Sequence, residues 1–587
     1  MYQGIAVSPG VAVGTAYCIH EIFVNPSAEP LRDHEVPSEL SRYDAACEQV
    51  HGELRAMSQK VSRQVGDEAA RIFAVHETIL RDPAFTRKVR HWIADERLTA
   101  QAALQRLLDE YSALFSRSND DFLKERLADI RDVAMRLSAH LSEVLQTSTN
   151  PLTGPLIVVA DELLPSQAVA LGNVDVGGIV TQAGSQTSHA AIIARSRGIP
   201  AVCGIAQVSQ QIKTGDLLVV DGREGHVLVN PAPETLSAYR KLEREFVHLK
   251  HQLAANRTQP ARTADNLDLE LLANINSLFD ARAAVGMGAT GVGLFRTEYL
   301  YLTHPSVPDE EEQLAAYREI IAASPGHKVT IRTLDIGGDK TVPYLGHAHQ
   351  EANPFLGWRS IRLSFEYPDF FMTQLRAVLR AAAVARDLGG QARLLFPMIT
   401  TIEEMRRVRH MVRMATRQLQ RDGLDFSPVP LGMMLEVPAA AITIRSMLRA
   451  VDFVSVGSND LVQYLMAADR DNPKVSHLCQ PLAPAVLRVL RSVIRHCQRA
   501  HKPLTLCGEM AGQPRAFVLL LGMGLRSFSM SPAFIPTIKE LARHVTAEAA
   551  ARILRHALRR QTTQSIQRYM GEQLKLLAPN LSILDIA

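Results

Sequence analysis

The sequence predicts a multidomain α/β protein: a small α/β domain interrupted by an all-helical insert, then a linker helix, then a C-terminal (β/α)8 barrel. Three observations carry this. Short β-branched runs punctuated by glycine and proline fill residues 1–20 and return from about 152 to 231. Between them, from about 38 to 147, glycine nearly vanishes and apolar residues recur at helical spacing. Beyond the linker, eight strand-like runs alternate with helical spans. A chain of 587 residues exceeds one compact core, so three or four domains are expected.

The small domain is read from Gly10-Val11-Ala12-Val13-Gly14, Pro155-Leu156-Ile157-Val158-Val159, Gly178-Ile179-Val180 and Leu217-Leu218-Val219-Val220. In the insert, Leu40, Tyr43, Cys47, Val50, Leu54, Met57 and Val61 follow the three-four alternation of a helical hairpin or bundle. Leu236, Tyr239, Leu242, Phe246, Leu249 and Leu253 form one stripe over 234–256, the linker helix. The expected boundaries are 1–20 with 149–232 for the α/β domain, 21–148 for the insert and 233–262 for the linker. The barrel then takes 263–575 and a tail 576–587. Its eight strands are expected at Leu269–Ile275, Gly291–Thr297, Lys328–Asp335, Arg393–Met398, Leu431–Val437, Phe453–Ser458, Leu504–Gly508 and Phe528–Ser531.

Composition narrows the partners. With 64 basic and 61 acidic residues the net charge is +3, so no nucleic-acid partner is expected, and runs such as 551–560 read as solvated helix faces. The N-terminus shows no charged region followed by an apolar run, and no apolar stretch is long enough to span a bilayer. Neither a signal peptide nor membrane insertion is therefore expected. The six cysteines are scattered without a CxxC pair, as suits reduced thiols in a cytoplasmic protein.

A barrel carries its chemistry at the C-terminal ends of its strands. There the sequence places Arg296, Arg332 with Asp335, Glu436, Gly457-Ser458-Asn459-Asp460, and Cys507-Gly508-Glu509. Any one of these charges alone is a structural ion pair; so many at equivalent positions must neutralise one another or a ligand, because buried unpaired charge costs several kcal/mol. Glu436 and Asp460 are hard oxygen donors without a histidine or cysteine cluster, which suits Mg2+ better than zinc. Arg296, Arg332, Arg359 and Arg470 offer planar forks for carboxylate or phosphate oxygens. Together they describe a site for a small, highly charged phosphorylated acid. No GxGxxG follows a strand, so hydride transfer is poorly supported.

A second constellation is Ala183-Gly184-Ser185-Gln186-Thr187-Ser188-His189-Ala190-Ala191-Ile192-Ile193-Ala194-Arg195. Ser188 is a good N-cap, the alanines favour a helix, and Gly198 and Pro200 end it. His189 thus falls in a first helical turn, where unpaired N–H groups favour negative charge. On spacing alone two readings stand level: a surface histidine, or a nucleophile whose phosphorylated form the helix end stabilises.

These residues resemble the phosphoenolpyruvate-utilising enzymes. Thr187–Arg195 is similar to their phosphohistidine signature, and 291–298, 332–340, 353–359, 436–439, 457–464 and 507–512 resemble the same group. The resemblance implies that the α/β domain is a swivelling phosphohistidine domain and that the insert binds a small phosphocarrier protein, HPr. It implies that phosphoenolpyruvate lies in the barrel, with Mg2+ on Glu436 and Asp460, and that Arg296, Arg332, Arg359, Asn459, Asp460 and Arg470 bind the substrate. His189 would take the phosphoryl group and pass it to HPr, while Cys507 protonates the enolate to release pyruvate. Dimerisation through the barrel is implied too. The dikinases and synthases of the group need a nucleotide-binding domain ahead of the histidine, and only 188 residues precede His189. Where the family loop usually reads Gly-Gly-x before Thr-Ser-His, this chain has Gly184-Ser185-Gln186, for which an altered rate or acceptor preference is expected.

Overall fold

The computed structural model describes residues 2–8, 10–19, 31–64, 73, 76–115, 121–141, 155–161, 176–182, 194, 199–302, 307–337, 351, 353–470, 472 and 474–584. His189, its expected N-cap Ser188 and Gly184–Gln186 before them lie outside these. The chain divides into two compact units, Met1–Val247 and His248–Asp585.

In the first unit, the strands are β1 (Tyr2–Gln3), β2 (Ile5–Ser8), β3 (Val11–Ile19), β4 (Leu156–Ala160), β5 (Val176–Thr181), β6 (Ala201–Cys203), β7 (Leu217–Asp221) and β8 (His226–Val229). They form one mixed sheet in the order β1-β8-β7-β3-β4-β5-β6-β2. The first strands and the later ones are thus one structure: β3 pairs in parallel with β4, Thr15 opposite Leu156, and antiparallel with β7, Val11 opposite Asp221. Valines and isoleucines dominate the pairs, as β-branched chains do on a buried pleat.

The described residues between β3 and β4 are mostly helical as expected, at Val36–Gln64, Pro83–Ala94, Ala100–Phe115 and Asp121–Leu141. Tyr43, Val50 and Leu54 from the expected stripe are buried with Phe85, Val89, Trp92, Leu104, Leu107 and Leu137 in a core of their own. The later helix runs Pro233–Ala255. Its Leu236, Tyr239 and Leu242 pack on Val11, Val13 and Val219 of the sheet.

The second unit is a closed barrel of eight parallel strands: β9 (Glu270–Ile275), β10 (Val292–Arg296), β11 (Lys328–Arg332), β12 (Gln391–Phe396), β13 (Leu431–Leu435), β14 (Phe453–Val456), β15 (Leu504–Leu506) and β16 (Ser527–Met530). All eight expected strands are present. Seven of their ladders stop one to three residues before the expected C-terminal end. The residues left over, among them Asp335, Glu436 and Cys507, lie beyond the last ladder position, at the C-terminal end of the barrel where strand gives way to loop. Leu294, Leu395, Met434, Phe453 and Cys507 form a buried cluster of their own. The outer helices cover the barrel in one continuous core that reaches Leu574, Ala578 and Leu581 near the C-terminus.

Candidate active site

The strand ends bring most of the expected residues together. Arg296 and Arg332 are the last residues of β10 and β11, Glu436 follows β13, and Cys507 follows β15. Asn459 and Asp460 lie in the first turn of the helix Ser458–Met466 that follows β14. Arg359 comes just after the short turn Pro354–Leu356, and Arg470 follows the Ser458–Met466 helix.

A chain of ion pairs links Arg332, Arg359, Asp460 and Arg470. Arg332, 6% exposed, pairs with Glu298 through one terminal nitrogen and with Asp335 at 3.2 Å through the other. Arg359 grips Asp335 with Nη2 at 3.0 Å from both oxygens and Nε at 3.3 Å from Oδ1. Its remaining nitrogen, Nη1, stands 3.6 Å from Asp460 Oδ1, and Arg470 Nη1 stands at 3.6 Å from the same oxygen. Burial depresses the Arg332 and Arg359 guanidiniums, but the carboxylates around them, Glu298 and Asp335 for the first, Asp335 and Asp460 for the second, outweigh it and hold both above their ordinary value. Arg296 is different: burial and then the neighbouring Arg332 pull it below its ordinary value. A guanidinium in that position gains from an added anion.

Glu436 is wholly buried. Its Oε1 accepts the Met398 N–H at 2.6 Å, and its Oε2 has no hydrogen-bond partner. Asp460 Oδ1 is likewise without one, the two guanidiniums at 3.6 Å being beyond hydrogen-bond length. Burial, with Asp460 and Asp335 nearby, raises the Glu436 carboxyl above the usual range. Two buried oxygens left over in this way, one from each acid, fit a hard cation. Among the described residues no group of three or more His, Cys, Asp or Glu is placed to hold a metal, so a cation here would rest on two carboxylates and complete its shell with substrate oxygens and water, as Mg2+ does.

Cys507, 2% exposed, points its Sγ at the Val456 carbonyl at 3.3 Å, and burial pushes its thiol up to about 11. It is a thiol, a proton donor, at neutral pH. Asn459 Oδ1 accepts the Glu509 N–H at 3.1 Å, which fixes the amide between two strand ends.

Sequence reasoning missed three parts of this arrangement. Glu298 and the Met398 N–H are the partners of Arg332 and Glu436, and Tyr464, whose hydroxyl donates to the Phe355 carbonyl at 2.6 Å, ties the Arg359 turn to the Asp460 helix. Glu298 stands two residues after Arg296 and Tyr464 one turn after Asp460, spacings that could have flagged both; a backbone donor leaves no such trace.

The chain matches known families along most of its length. Residues 3–126 match the family described as PEP-utilising enzyme, N-terminal, 152–225 the PEP-utilising enzyme, mobile domain, and 250–547 the PEP-utilising enzyme, PEP-binding domain. The chain is 38% identical to a phosphoenolpyruvate-protein phosphotransferase of Bacillus sp. (strain S) over 98% of both chains. It is 36% identical to one of Haemophilus influenzae over 98% of this chain and 99% of the other. A solution structure of an Enzyme I protein is 34% identical, covering 42% of this chain and all of that one, with a TM-score of 0.34. With relatives of this similarity along almost its whole length, the chain belongs to the PEP-utilising enzyme family.

Proposed function

We propose that the protein transfers the phosphoryl group of phosphoenolpyruvate to His189 and from there to a histidine of the phosphocarrier HPr, releasing pyruvate, the first step of a sugar phosphotransferase system. The observation that carries this is the barrel cluster itself. Four guanidiniums (Arg296, Arg332, Arg359, Arg470) gather with four carboxylates (Glu298, Asp335, Glu436, Asp460), and one buried oxygen each of Glu436 and Asp460 lacks a hydrogen bond and suits a cation. With every one of these groups ionised their charges cancel, and a bound dication, which favours the ionised form of the Glu436 carboxyl that burial disfavours, makes the cluster positive and complementary to a small polyanion.

Arg296, Arg332, Arg470 and Asn459 are the residues we assign to the phosphate and carboxylate of the substrate; Arg359 holds Asp460 in place. Glu436 and Asp460 would hold Mg2+. When bound, that ion would draw charge from the substrate oxygens. His189 Nε2 attacks phosphorus in line; the N–P bond forms as the bond from phosphorus to the enol oxygen breaks. The enolate then takes a proton at its methylene carbon from Cys507 Sγ, which its raised pKa keeps available. Such transfer asks the protein for positioning and charge neutralisation more than for covalent help.

His189 belongs by sequence to the first unit and the cluster to the second. The reading therefore makes 1–20 with 149–232 a swivelling phosphohistidine domain, 21–148 the HPr-binding insert, 233–262 a linker, and 263–575 the substrate-binding and dimerisation domain, followed by the tail 576–587. Dimerisation through the barrel unit is part of the same reading. Six free cysteines, and the lack among the described residues of any helix long and apolar enough to cross a membrane, support a cytoplasmic location.

The test is incubation with phosphoenolpyruvate and Mg2+, with and without HPr, followed by intact-protein mass spectrometry. An acid-labile phosphoryl adduct at His189 that drains into HPr is expected. An adduct that forms only with ATP would move the protein to the dikinase class.

A further inference from the structure

We propose that Tyr464 and Phe355 form a latch that ties the Arg359 turn to the Asp460 helix and sets the position of Arg470, and that both are positioning residues for substrate binding; the inference rests on the barrel site proposed above. Tyr464 sits four residues after Asp460 on the helix Ser458–Met466, so the two side chains lie on one face a turn apart. The Tyr464 hydroxyl donates to the Phe355 carbonyl at 2.6 Å across 109 residues of sequence. Phe355 is the middle residue of the turn Pro354–Leu356, and the chain reaches Arg359 four residues later.

The Phe355 ring then serves both cations. Its centroid is 5.9 Å from Arg359 Cζ and 6.0 Å from Arg470 Cζ. These are the two guanidiniums that stand at 3.6 Å from Asp460 Oδ1. One aromatic ring therefore borders two planar cations, and one phenol ties that ring to the helix whose acid those cations address. Burial pushes the Tyr464 phenol up to about 12, so it stays a donor through the working pH range.

The neighbouring contacts show why this tether matters. The next two carbonyls of the turn, Leu356 and Gly357, both accept from Arg362 Nη1 at 2.8 Å, and the Trp358 N–H donates to Glu351 at 2.9 Å. Those contacts are all local, within seven residues. They shape the turn without fixing it to the site. Of the carbonyls of residues 355–357, only that of Phe355 is bonded to the Asp460 helix. Freeing it leaves Arg359 anchored on Asp335 while the ring that orients Arg470 loses its registration.

The test is steady-state kinetics of phosphoenolpyruvate-dependent phosphorylation with Mg2+, with melting temperature followed alongside. Tyr464→Phe should raise KM for phosphoenolpyruvate about 10-fold, the scale of one lost hydrogen bond, with kcat within about twofold and the melting temperature unchanged. Phe355→Leu should do the same, and Phe355→Tyr, which keeps an aromatic face, should restore the KM. An unchanged KM in Tyr464→Phe and Phe355→Leu, while Arg332→Ala loses use of phosphoenolpyruvate, overturns the latch and leaves the site intact. A fall in kcat at constant KM also overturns it, because Tyr464 would then act on the reaction itself. If Arg332→Ala keeps the parent KM as well, the failure belongs to the site reading.

Discussion

Gly457 leaves open the space that Glu436 fills: a Cβ on residue 457 would stand 2.6 Å from Glu436 Oε2. The backbone there has an ordinary negative φ of −82°, so the constraint is room rather than conformation. Gly457→Ala should therefore push aside the oxygen we assign to the cation. Overpacking of this kind costs about 1–3 kcal/mol, and a displaced ligand should lower phosphoenolpyruvate-dependent phosphorylation at least about 10-fold, the equivalent of 1.4 kcal/mol. Titrating Mg2+ separates the causes. A raised Mg2+ requirement with a native far-UV spectrum supports the assignment, whereas parent activity at limiting Mg2+ removes it.

Glu298→Ala should be among the most destabilising single changes in the barrel. Arg332 and Glu298 are both nearly fully buried, and removing the acid leaves a guanidinium with Asp335 as its closest remaining counter-charge. Breaking a buried pair typically costs about 3–5 kcal/mol. Arg568→Ala, which removes an 84% exposed partner of Glu572, should change stability by less than about 0.5 kcal/mol. Denaturant unfolding of the two variants measures the contrast. Equal effects would mean that the Arg332 cluster is not held as a buried network.

Much of this site could be read before the fold was seen, for a physical reason. A parallel barrel strand is an apolar run, and a charged residue at its C-terminal end cannot be there for packing; Arg296, Arg332, Glu436 and Asp460 announce themselves that way. Pairing could not be read. Nothing in the sequence says that Arg359 spends its fork on Asp335, 24 residues earlier, and shows Asp460 only its Nη1. The Met398 N–H that holds Glu436 is invisible in side-chain types. Strand ends were expected too late because apolar residues such as Leu334, Val437 and Cys507 continue the strand-like rhythm past the last ladder bond.

Cys507 supplies the pH prediction. Burial lifts its thiol from 9.0 to about 11, so the folded state favours the protonated form. Its contribution to stability is complete below pH 9 and is lost as pH rises through 11. At pH 8 the native thiol should resist iodoacetamide, through both burial and a thiolate fraction near ~0.1%, and react promptly once the protein is unfolded. Peptide mass spectrometry after timed alkylation reads this directly. Fast native modification of Cys507 would contradict the buried donor. Cys507→Ala should lower turnover about 10²–10⁴-fold, the usual worth of a positioned acid.

Gly337 tests how the Arg359 segment is docked. Its φ of +110° is a conformation side chains rarely adopt, and a Cβ there would meet the Trp358 carbonyl oxygen at 2.4 Å and Arg359 Cα at 2.6 Å. The close approach exists because Gly337 bridges Arg359 while the Ser360 N–H donates to the Ile336 carbonyl at 2.8 Å. Gly337→Ala must therefore bear backbone strain of about 1–3 kcal/mol and move Arg359 away from Asp335 and Asp460 together. Both stability and KM for phosphoenolpyruvate should suffer, unlike Tyr464→Phe, which should move KM alone. A Gly337→Ala protein that melts normally and binds substrate normally would show that the bridge does not hold Arg359 in place.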